Sequence, residues 1–457
     1  DSATLILATS TTLGGNLTAS ADNGLTISGD LTSTGNMTLE GDANNSSDGT
    51  DNISITSGVT LNSGGTLTMD ATTGGITAVG SAVFTATSGI TINDTLSVST
   101  GTVTFNNAAS IAGLSLTAGT IDGAGDITVT GAMTWSGGTI SGTRTLTTDT
   151  GVTTTMSASS AATLDTNVTW ENDGTIDWNF SSSDFAIDGT LNNKSGADFN
   201  LQHTTNNADI TGSGTVNNLS GATMTLNAAA TDTDFSPTFN NAGAVVVTNG
   251  DLQLNGTGTD TGTYTVASGE ILSFFNASGT RDLQSGSSVS GAGTVKLGGT
   301  GTRTVGGTYN VTGTTELGTG TNTISSTGAT SLGDLTVIGS GGINTITGAN
   351  ITSIGDITIG NGTTTLTTGN AFSIANLTVT AGILQGDDDI TVTSAMTWSG
   401  GTISGTRTLT TNSGVTTTMS ASLAATLDTN VTWDNDGTIN WNFSSSDFAI
   451  DGTLNNK

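Results

Sequence analysis

The pentapeptide Gly189-Thr-Leu-Asn-Asn193 recurs as Gly214-Thr-Val-Asn-Asn218 and again as Pro237-Thr-Phe-Asn-Asn241, so the paired asparagines return at a nearly constant step. Asn172-Asp-Gly-Thr-Ile176 continues this series upstream of the first pair. Each copy alternates an apolar residue with polar neighbours, which is the period-two pattern of a half-buried strand. A step of roughly 20 to 25 residues is about one coil of a three-faced solenoid, whose coils stack about 4.8 Å apart. The spacing therefore predicts an all-β fold, a parallel β-helix or β-solenoid with about 20–25 residues per coil.

Stacking assigns a place to each residue of the pentapeptide. A single coil cannot bury its own apolar face, but neighbouring coils bury it for each other. Because stacked asparagine amides can bond to the amides above and below, the Asn position next to the apolar residue predicts a ladder. We expect a continuous core at Leu191, Val216 and Phe239, and a ladder of Asn192, Asn217 and Asn240.

The same pattern extends along the chain. Short alternating segments such as Leu25-Thr-Ile27, Thr66-Leu-Thr-Met69 and Ile127-Thr-Val129 are bounded by Gly, Asn or Asp. About a hundred Thr and 66 Gly accompany a charged fraction of only 10%. Thr favours pleated strands, Gly and Asn favour tight turns, and the strong helix formers are scarce. This regularity favours a folded solenoid over a disordered chain or a helical domain.

A longer repeat contains the shorter one. Residues 128–194 recur as residues 391–457, at an offset of 263, with six differences over 67 aligned positions. We divide the chain into a Thr/Ser-rich segment at 1–104, a first 263-residue unit at 105–367 and the start of a second copy at 368–457, within one continuous solenoid. Lys457 is the equivalent of Lys194, after which the first copy continues, so we expect a longer parent chain or units that stack head to tail.

The net charge and the amino-acid composition of the chain indicate which classes of partner it can bind. The formal net charge is −30, with 7 Lys and Arg against 37 Asp and Glu. Nucleic acids and anionic membranes are bound by clustered basic residues, so the sequence predicts neither a nucleic-acid partner nor membrane insertion. The chain has no Cys, which predicts no disulfide and suits a secreted bacterial polypeptide.

Five motifs along the chain share a Gly-, Thr- and Asn-rich pattern. They are Thr134-Trp-Ser-Gly-Gly-Thr-Ile-Ser-Gly142, Thr163-Leu-Asp165, Asn172-Asp-Gly-Thr175, Gly189-Thr-Leu-Asn-Asn193 and Gly307-Thr-Tyr-Asn-Val-Thr-Gly-Thr314. They resemble large bacterial surface repeat proteins of the filamentous-haemagglutinin-like and autotransporter-associated β-helix type. The resemblance covers most of residues 105–457. It implies a right-handed parallel β-helix and an exported adhesin, stalk or filament at the bacterial cell surface.

Many β-helices are carbohydrate-active enzymes, which need clustered carboxylates. The strongest acidic run is Asp387-Asp-Asp389, but its counterpart in the other copy is Ala124-Gly-Asp126. We interpret the run as a solvated turn, with a weak Ca²⁺ contact as the alternative. The sequence predicts no catalytic residue, no cofactor and no metal site.

The remaining candidate residues have structural interpretations beside functional ones. His203 is the single histidine and, without a second His or Cys, is expected to be an exposed structural residue rather than a zinc ligand. Arg144 and Arg407 are copy equivalents, expected to cap or pair across a coil edge, with a glycan contact as the alternative. The Trp residues fill the core or form a sugar-stacking platform, and their position inside strands favours the core. They are Trp135, Trp170, Trp178, Trp398, Trp433 and Trp441.

Three functions are weighed. The sequence favours a structural or adhesive component of an extracellular bacterial surface filament or stalk, which contacts copies of itself and surface glycans. The alternative is a carbohydrate-active β-helix enzyme or a phage-type tailspike. Ice binding through Thr arrays such as Thr363-Thr-Thr-Leu-Thr-Thr368 requires strict coil regularity, which the variable step argues against.

Overall fold

A computed structural model describes residues 4–44, 51–72, 74–157, 160–204, 208–228, 232–328, 330–420, 423–442 and 446–457. The chain divides into two compact units, Asp1–Thr238 and Phe239–Lys457. The described residues form strands and turns without a helix, and the strands stack in parallel at about 21 residues per turn. The predicted fold class is confirmed.

Within its described residues, the first unit contains thirty short strands and the start of another. They are β1 Leu5–Leu7, β2 Thr11–Leu13, β3 Leu17–Ser20, β4 Leu25–Ile27, β5 Leu31–Ser33, β6 Met37–Glu40, β7 Ile53–Thr56, β8 Val59–Ser63, β9 Leu67–Asp70, β10 Ile76–Val79, β11 Ala82–Ala86, β12 Ile90–Thr100, β13 Thr102–Phe105, β14 Ala109–Leu116, β15 Thr120–Asp122, β16 Ile127–Val129, β17 Met133–Trp135, β18 Gly138–Ile140, β19 Arg144–Thr148, β20 Thr153–Met156, β21 Ala162–Leu164, β22 Val168–Asn172, β23 Thr175–Trp178, β24 Phe185–Ile187, β25 Thr190–Asn193, β26 Asp198–Leu201, β27 Ile210–Thr211, β28 Thr215–Asn218, β29 Thr223–Asn227, β30 Thr233–Phe235 and β31 Thr238–Asn241.

The second unit continues with strands of similar length. They are β32 Ala244–Asn249, β33 Asp251–Leu254, β34 Gly258–Asp260, β35 Thr263–Val266, β36 Ile271–Phe275, β37 Thr280–Leu283, β38 Ser288–Gly291, β39 Thr294–Gly298, β40 Thr302–Val305, β41 Thr308–Val311, β42 Thr314–Leu317, β43 Thr321–Ile324, β44 Thr330–Ser331, β45 Asp334–Val337, β46 Ile343–Thr347, β47 Ile351–Ser353, β48 Ile357–Ile359, β49 Thr363–Thr367, β50 Phe372–Val379, β51 Ile383–Gly386, β52 Ile390–Trp398, β53 Gly401–Ile403, β54 Thr408–Thr411, β55 Thr416–Met419, β56 Ala425–Leu427, β57 Thr432–Asn435, β58 Thr438–Trp441, β59 Phe448–Ile450 and β60 Thr453–Asn456.

Three strands make one turn in most of each unit, and each strand pairs in parallel with the strand three places further on. In the first unit β16 pairs with β19, β17 with β20 and β18 with β21. In the second unit β33 pairs with β36, β34 with β37 and β35 with β38. The stack therefore has three β faces within each unit, as the step between the repeated pentapeptides predicts.

Because the strands pair in register, the apolar residues of one coil lie beside the apolar residues of the next coil. Ile127 lies beside Leu146, Leu146 beside Trp170, Trp170 beside Leu191 and Leu191 beside Val216, and all five side chains are buried. The intervals between these partners are unequal, so the turns absorb the variation while the strands stay in register. The predicted core positions Leu191 and Val216 are confirmed. Phe239, in the second unit, is also buried.

Glycine is required where turns of adjacent coils touch. Gly142 precedes β19 with a φ of +90°, and a Cβ atom there would collide with the carbonyl oxygen of Gly123 in the turn below. Gly405 and Gly386 repeat this arrangement in the second copy. A side chain at either upper position would push two coils apart, because backbone atoms cannot give way as a flexible side chain can.

Candidate functional site: stacked polar ladders

A buried polar ladder runs up the first unit on the inner side of β19, β22, β25 and β28. The side chains of Thr148, Asn172, Asn193 and Asn218 are at most 1% exposed, and we call them the inner ladder. Asn172 Nδ2 donates to Asn193 Oδ1 at 2.9 Å, and Asn193 Nδ2 donates to Asn218 Oδ1 at 3.0 Å. Thr148 donates to Asn172 at 2.9 Å and accepts from the Trp170 indole at 3.2 Å. Asn172 and Asn193 thus each bind both the coil above and the coil below.

The second copy repeats the ladder at the positions that the long sequence repeat makes equivalent. Thr411 donates to Asn435 Oδ1 at 2.5 Å, and Asn435 Nδ2 donates to Asn456 Oδ1 at 2.7 Å. The Trp433 indole donates to the Thr411 hydroxyl at 3.2 Å. The same hydrogen-bond pattern therefore forms in both units.

A second ladder lies on the outer side of the same strands. Asn217 Nδ2 donates to Asn192 Oδ1 at 2.8 Å, and Asn192 Nδ2 donates to Glu171 Oε1 at 2.7 Å. The predicted stacking of Asn192 and Asn217 is confirmed. Asn240 belongs to the second unit, where its Oδ1 accepts from the backbone nitrogen of Thr259 at 3.1 Å.

The inner ladder is a feature that the sequence analysis missed. In the pair Asn192-Asn193, strand alternation places Asn193 on the same side as the buried Leu191. The signal was therefore present in the pentapeptide. It was overlooked because Asn favours turns and exposed positions, whereas a buried amide is stable once its donors and acceptors are paired.

Five of the six indole rings fill the core, as their positions in strands predict. Trp135, Trp170, Trp178, Trp398 and Trp433 are fully buried. Trp135 lies edge-on to Phe185 with ring centroids 5.4 Å apart, and Trp398 repeats this against Phe448 at 4.9 Å. Trp441 is 53% exposed. Its equivalent Trp178 lies beside Leu201 of β26 in the next coil.

The acidic run Asp387–Asp389 lies in a turn with Asp387 and Asp389 exposed, as we expected, but the middle carboxylate is buried. Asp388 is 2% exposed, and its carboxylate accepts three hydrogen bonds of 2.8 Å, from the Thr368 nitrogen, the Thr368 hydroxyl and the Gly369 nitrogen. Asp389 accepts from the nitrogen of Thr408 at 2.6 Å. These carboxylates tie a coil to its neighbours. Among the described residues no group of three or more His, Cys, Asp or Glu is placed to hold a metal ion.

The expectation that His203 is exposed is wrong. Its ring is fully buried, lies 4.8 Å from the Trp178 ring and has its Nε2 3.1 Å from the Thr233 hydroxyl. Burial lowers the pKa of His203, so the neutral form is favoured in the fold. Thr233 follows 30 residues later in the chain, which is why the local sequence gave no sign of this contact.

Arg144 and Arg407 occupy equivalent buried positions in the two copies of the long repeat. Arg144 is the first residue of β19, and Arg407 directly precedes β54. Arg144 is 4% exposed and Arg407 is 2% exposed. Burial lowers the pKa of each to about 10, while Asp122 and Asp126 act in the opposite direction on Arg144. Arg407 Nε donates to the carbonyl oxygen of Ser404 at 3.3 Å. A glycan contact requires an accessible guanidinium, and these two are enclosed.

The second unit contains a sealed ionic cluster that the sequence analysis missed. The Arg281 Nη2 atom lies 3.1 Å from Asp260 and 3.1 Å from the Tyr264 hydroxyl, which donates to Asp260 at 2.7 Å. All three side chains are fully buried. Burial alone would lower the pKa of Arg281, but Asp260 and Tyr264 together outweigh burial and raise that pKa above its usual range. Because all three side chains are buried, the cluster is part of the core of the second unit.

An acidic column lies on the third face of the first unit. Asp184, Asp209 and Asp234 follow one another at steps of 25 residues. Asp184 Oδ1 accepts from the backbone nitrogen of Asp209 at 3.1 Å, and Asp209 Oδ1 accepts from that of Asp234 at 3.2 Å. Burial raises the pKa of Asp209, and the charges of Asp234 and Asp184 raise it further. The column therefore stores like-charge repulsion at neutral pH.

The surface of the first unit has a shallow groove of about 310 Å³ beside β12, β14 and β16. Hydroxyl and small side chains line it, together with Ile90 and the one carboxylate of Asp126. Asp126 Oδ1 already accepts from the nitrogen of Thr145 at 2.7 Å. Glycoside hydrolysis generally needs two opposed carboxyl groups, which this groove does not offer.

No protein-family model matches the chain, and no curated protein is significantly similar to it. Within the described part of the chain, no helix is long and apolar enough to cross a membrane.

Proposed function

We propose that this chain is a structural segment of an extracellular bacterial surface filament or stalk, which also presents an adhesive surface. The observation that carries the proposal is the continuous parallel stacking of coils within each unit, secured by an inner ladder that recurs in the second copy of the long repeat. A repeated internal bonding pattern suits a filament under mechanical tension, since each coil is held by the same contacts as the next.

The outer faces support the same role. In the first unit one outward row runs in register through five strands and carries Thr26, Ser54, Thr77, Ser97 and Ser115. Hydroxyl rows keep an extended β surface soluble without clustering basic charge, and a net charge of −30 disfavours lateral aggregation. We propose copies of the same chain and surface glycans as partners, and no cofactor.

A non-enzymatic role is supported by the accessibility of the ionisable groups. Asp260 and Asp388 are enclosed in the fold, and Asp126 is the single carboxylate lining its groove. We therefore favour the filament over a carbohydrate-active enzyme or a tailspike.

The test is electron microscopy of the native material, with an antibody against the chain to place it on cells. Long uniform fibres at the surface of the producing bacterium are expected. Discrete short trimers, or hydrolysis of a polysaccharide panel by the purified protein, would overturn the proposal.

A further inference from the structure

The second unit carries a two-row array of small side chains on the outer side of β40, β43, β46 and β49. The first row contains Thr302, Thr321, Ile343 and Thr363. The second row contains Thr304, Thr323, Thr345 and Thr365. We call these eight residues the threonine array. Seven of the eight are Thr, and none is charged or aromatic.

The array keeps its register although the coils differ in length. Thr304 pairs with Thr323, Thr323 with Thr345 and Thr345 with Thr365, without a bulge, over unequal intervals in the sequence. The turns take up the difference. The variable step therefore does not exclude a regular lattice on this face, and unequal coil length is no obstacle to ice binding here.

An internal ladder fixes the spacing of the same strands from beneath. Arg303 Nε donates to Asn322 Oδ1 at 2.6 Å, and Asn322 Nδ2 donates to Asn344 Oδ1 at 2.7 Å. Asn344 Nδ2 then donates to the carbonyl oxygen of Thr363 at 3.2 Å. The side chains of Arg303, Asn322 and Asn344 are at most 1% exposed. The outward residues thus stand on strands whose stacking is secured on the inner side by hydrogen bonds.

The dimensions follow from strand geometry. Equivalent residues of adjacent strands are about 4.8 Å apart, and alternate residues along one strand are about 6.6 Å apart. Each Thr carries a methyl group and a hydroxyl group, of which the Thr365 hydroxyl also accepts from Gln385 Nε2 at 2.8 Å. A β-branched side chain has few χ1 rotamers. The array is therefore a preordered rectangular lattice of apolar and hydrogen-bonding groups, on the scale of the oxygen spacings in ice.

We propose that the threonine array binds ice. Ordered water molecules of the hydration layer would occupy the spaces between the Thr methyl groups and would be hydrogen-bonded to the Thr hydroxyls. These water molecules would then become part of the surface layer of an ice crystal. Charged side chains would hold water in other orientations, and the array has none. A sugar-binding face would call for an aromatic platform, which these rows lack. The inference goes beyond the filament role and does not depend on it.

The test uses the purified full chain in assays of thermal hysteresis and ice recrystallisation. The wild type is expected to shape ice crystals and inhibit recrystallisation. The variant Thr323→Lys/Thr345→Lys places two adjacent charges in the second row and is expected to lose both activities. The matched control is Thr336→Lys/Thr358→Lys, which changes two outward Thr residues that are register partners on β45 and β48, on another face of the same unit. This control variant should retain both ice activities.

Circular dichroism and thermal melting check that both variants fold. If the array variant does not fold, Thr345→Ser removes one methyl group and should lower recrystallisation inhibition severalfold. Absence of any ice activity in the wild type, or equal activity in the array and control variants, would overturn the proposal. Array-dependent binding to crystalline cellulose or chitin without ice activity would also overturn it.

Discussion

The inner ladder allows a sharp test of what holds the coils together. Asn193→Ala removes the side chain that binds Asn172 at 2.9 Å, Asn218 at 3.0 Å and the carbonyl oxygen of Thr223 at 3.0 Å. Those partners lose a buried hydrogen bond, and each unsatisfied buried group costs about 1–3 kcal/mol. Three such groups predict a loss of about 3–9 kcal/mol in local stability. The adjacent Asn192 supplies the control.

Asn192→Ala breaks the two outer hydrogen bonds to Glu171 and Asn217. Because these groups are partly exposed, water replaces the lost partners and the expected cost is below about 1 kcal/mol. Repeat proteins do not open as one cooperative unit, so the assay is amide hydrogen exchange read at individual residues of β22, β25 and β28. Asn193→Ala should lower protection there by about two orders of magnitude or more, since about 1.4 kcal/mol is tenfold. Equal losses in the two variants would refute the reasoning.

Three further perturbations have defined outcomes. Asp260→Asn leaves the buried Arg281 without its counter-ion and should cost about 3–5 kcal/mol, as amide hydrogen exchange at residues of β34 and β37 would measure; a change below about 1 kcal/mol would contradict the ion pair. Asp209→Asn should raise the melting temperature at pH 7. The pKa of Asp209 is raised in the folded state, so ionisation of its carboxyl group destabilises the fold above that pKa. The gain in melting temperature should therefore disappear as the pH falls through the folded-state pKa. The opposite sign would rule out like-charge strain from Asp234. EDTA should leave the melting temperature unchanged, because the Asp388 carboxylate is already satisfied by three donors; a drop reversed by Ca²⁺ would contradict this.

The fold could be read from the sequence because its main determinant is local. Apolar and hydroxyl residues alternate within each strand, and the repeat step fixes which strands meet. Leu191 and Val216 are buried partners as the step predicts. The stacking of Asn192 on Asn217 follows from the same register.

The polar interior could not be read with the same rules, because it depends on residues one coil or more apart. Asp388 is buried by donors from Thr368 and Gly369, about 20 residues earlier. Arg281 meets Asp260 across 21 residues, which is one coil. Composition assigns such charged residues to the surface, and only the stacking supplies the partners that make burial favourable. Opposite charges separated by one coil step are the signal that could have found this pair.

The inner ladder has a consequence for how such a chain can grow. An asparagine amide offers a donor towards one neighbouring coil and an acceptor towards the other, as Asn193 does between Asn172 and Asn218. The upper and lower surfaces of these coils are therefore chemically complementary to each other. A duplicated segment of DNA that inserts a whole number of coils meets a compatible partner at both junctions, so recombination can lengthen the gene without new mutations at the joins. The near-identical stretches at 128–194 and 391–457 are what such a history would leave.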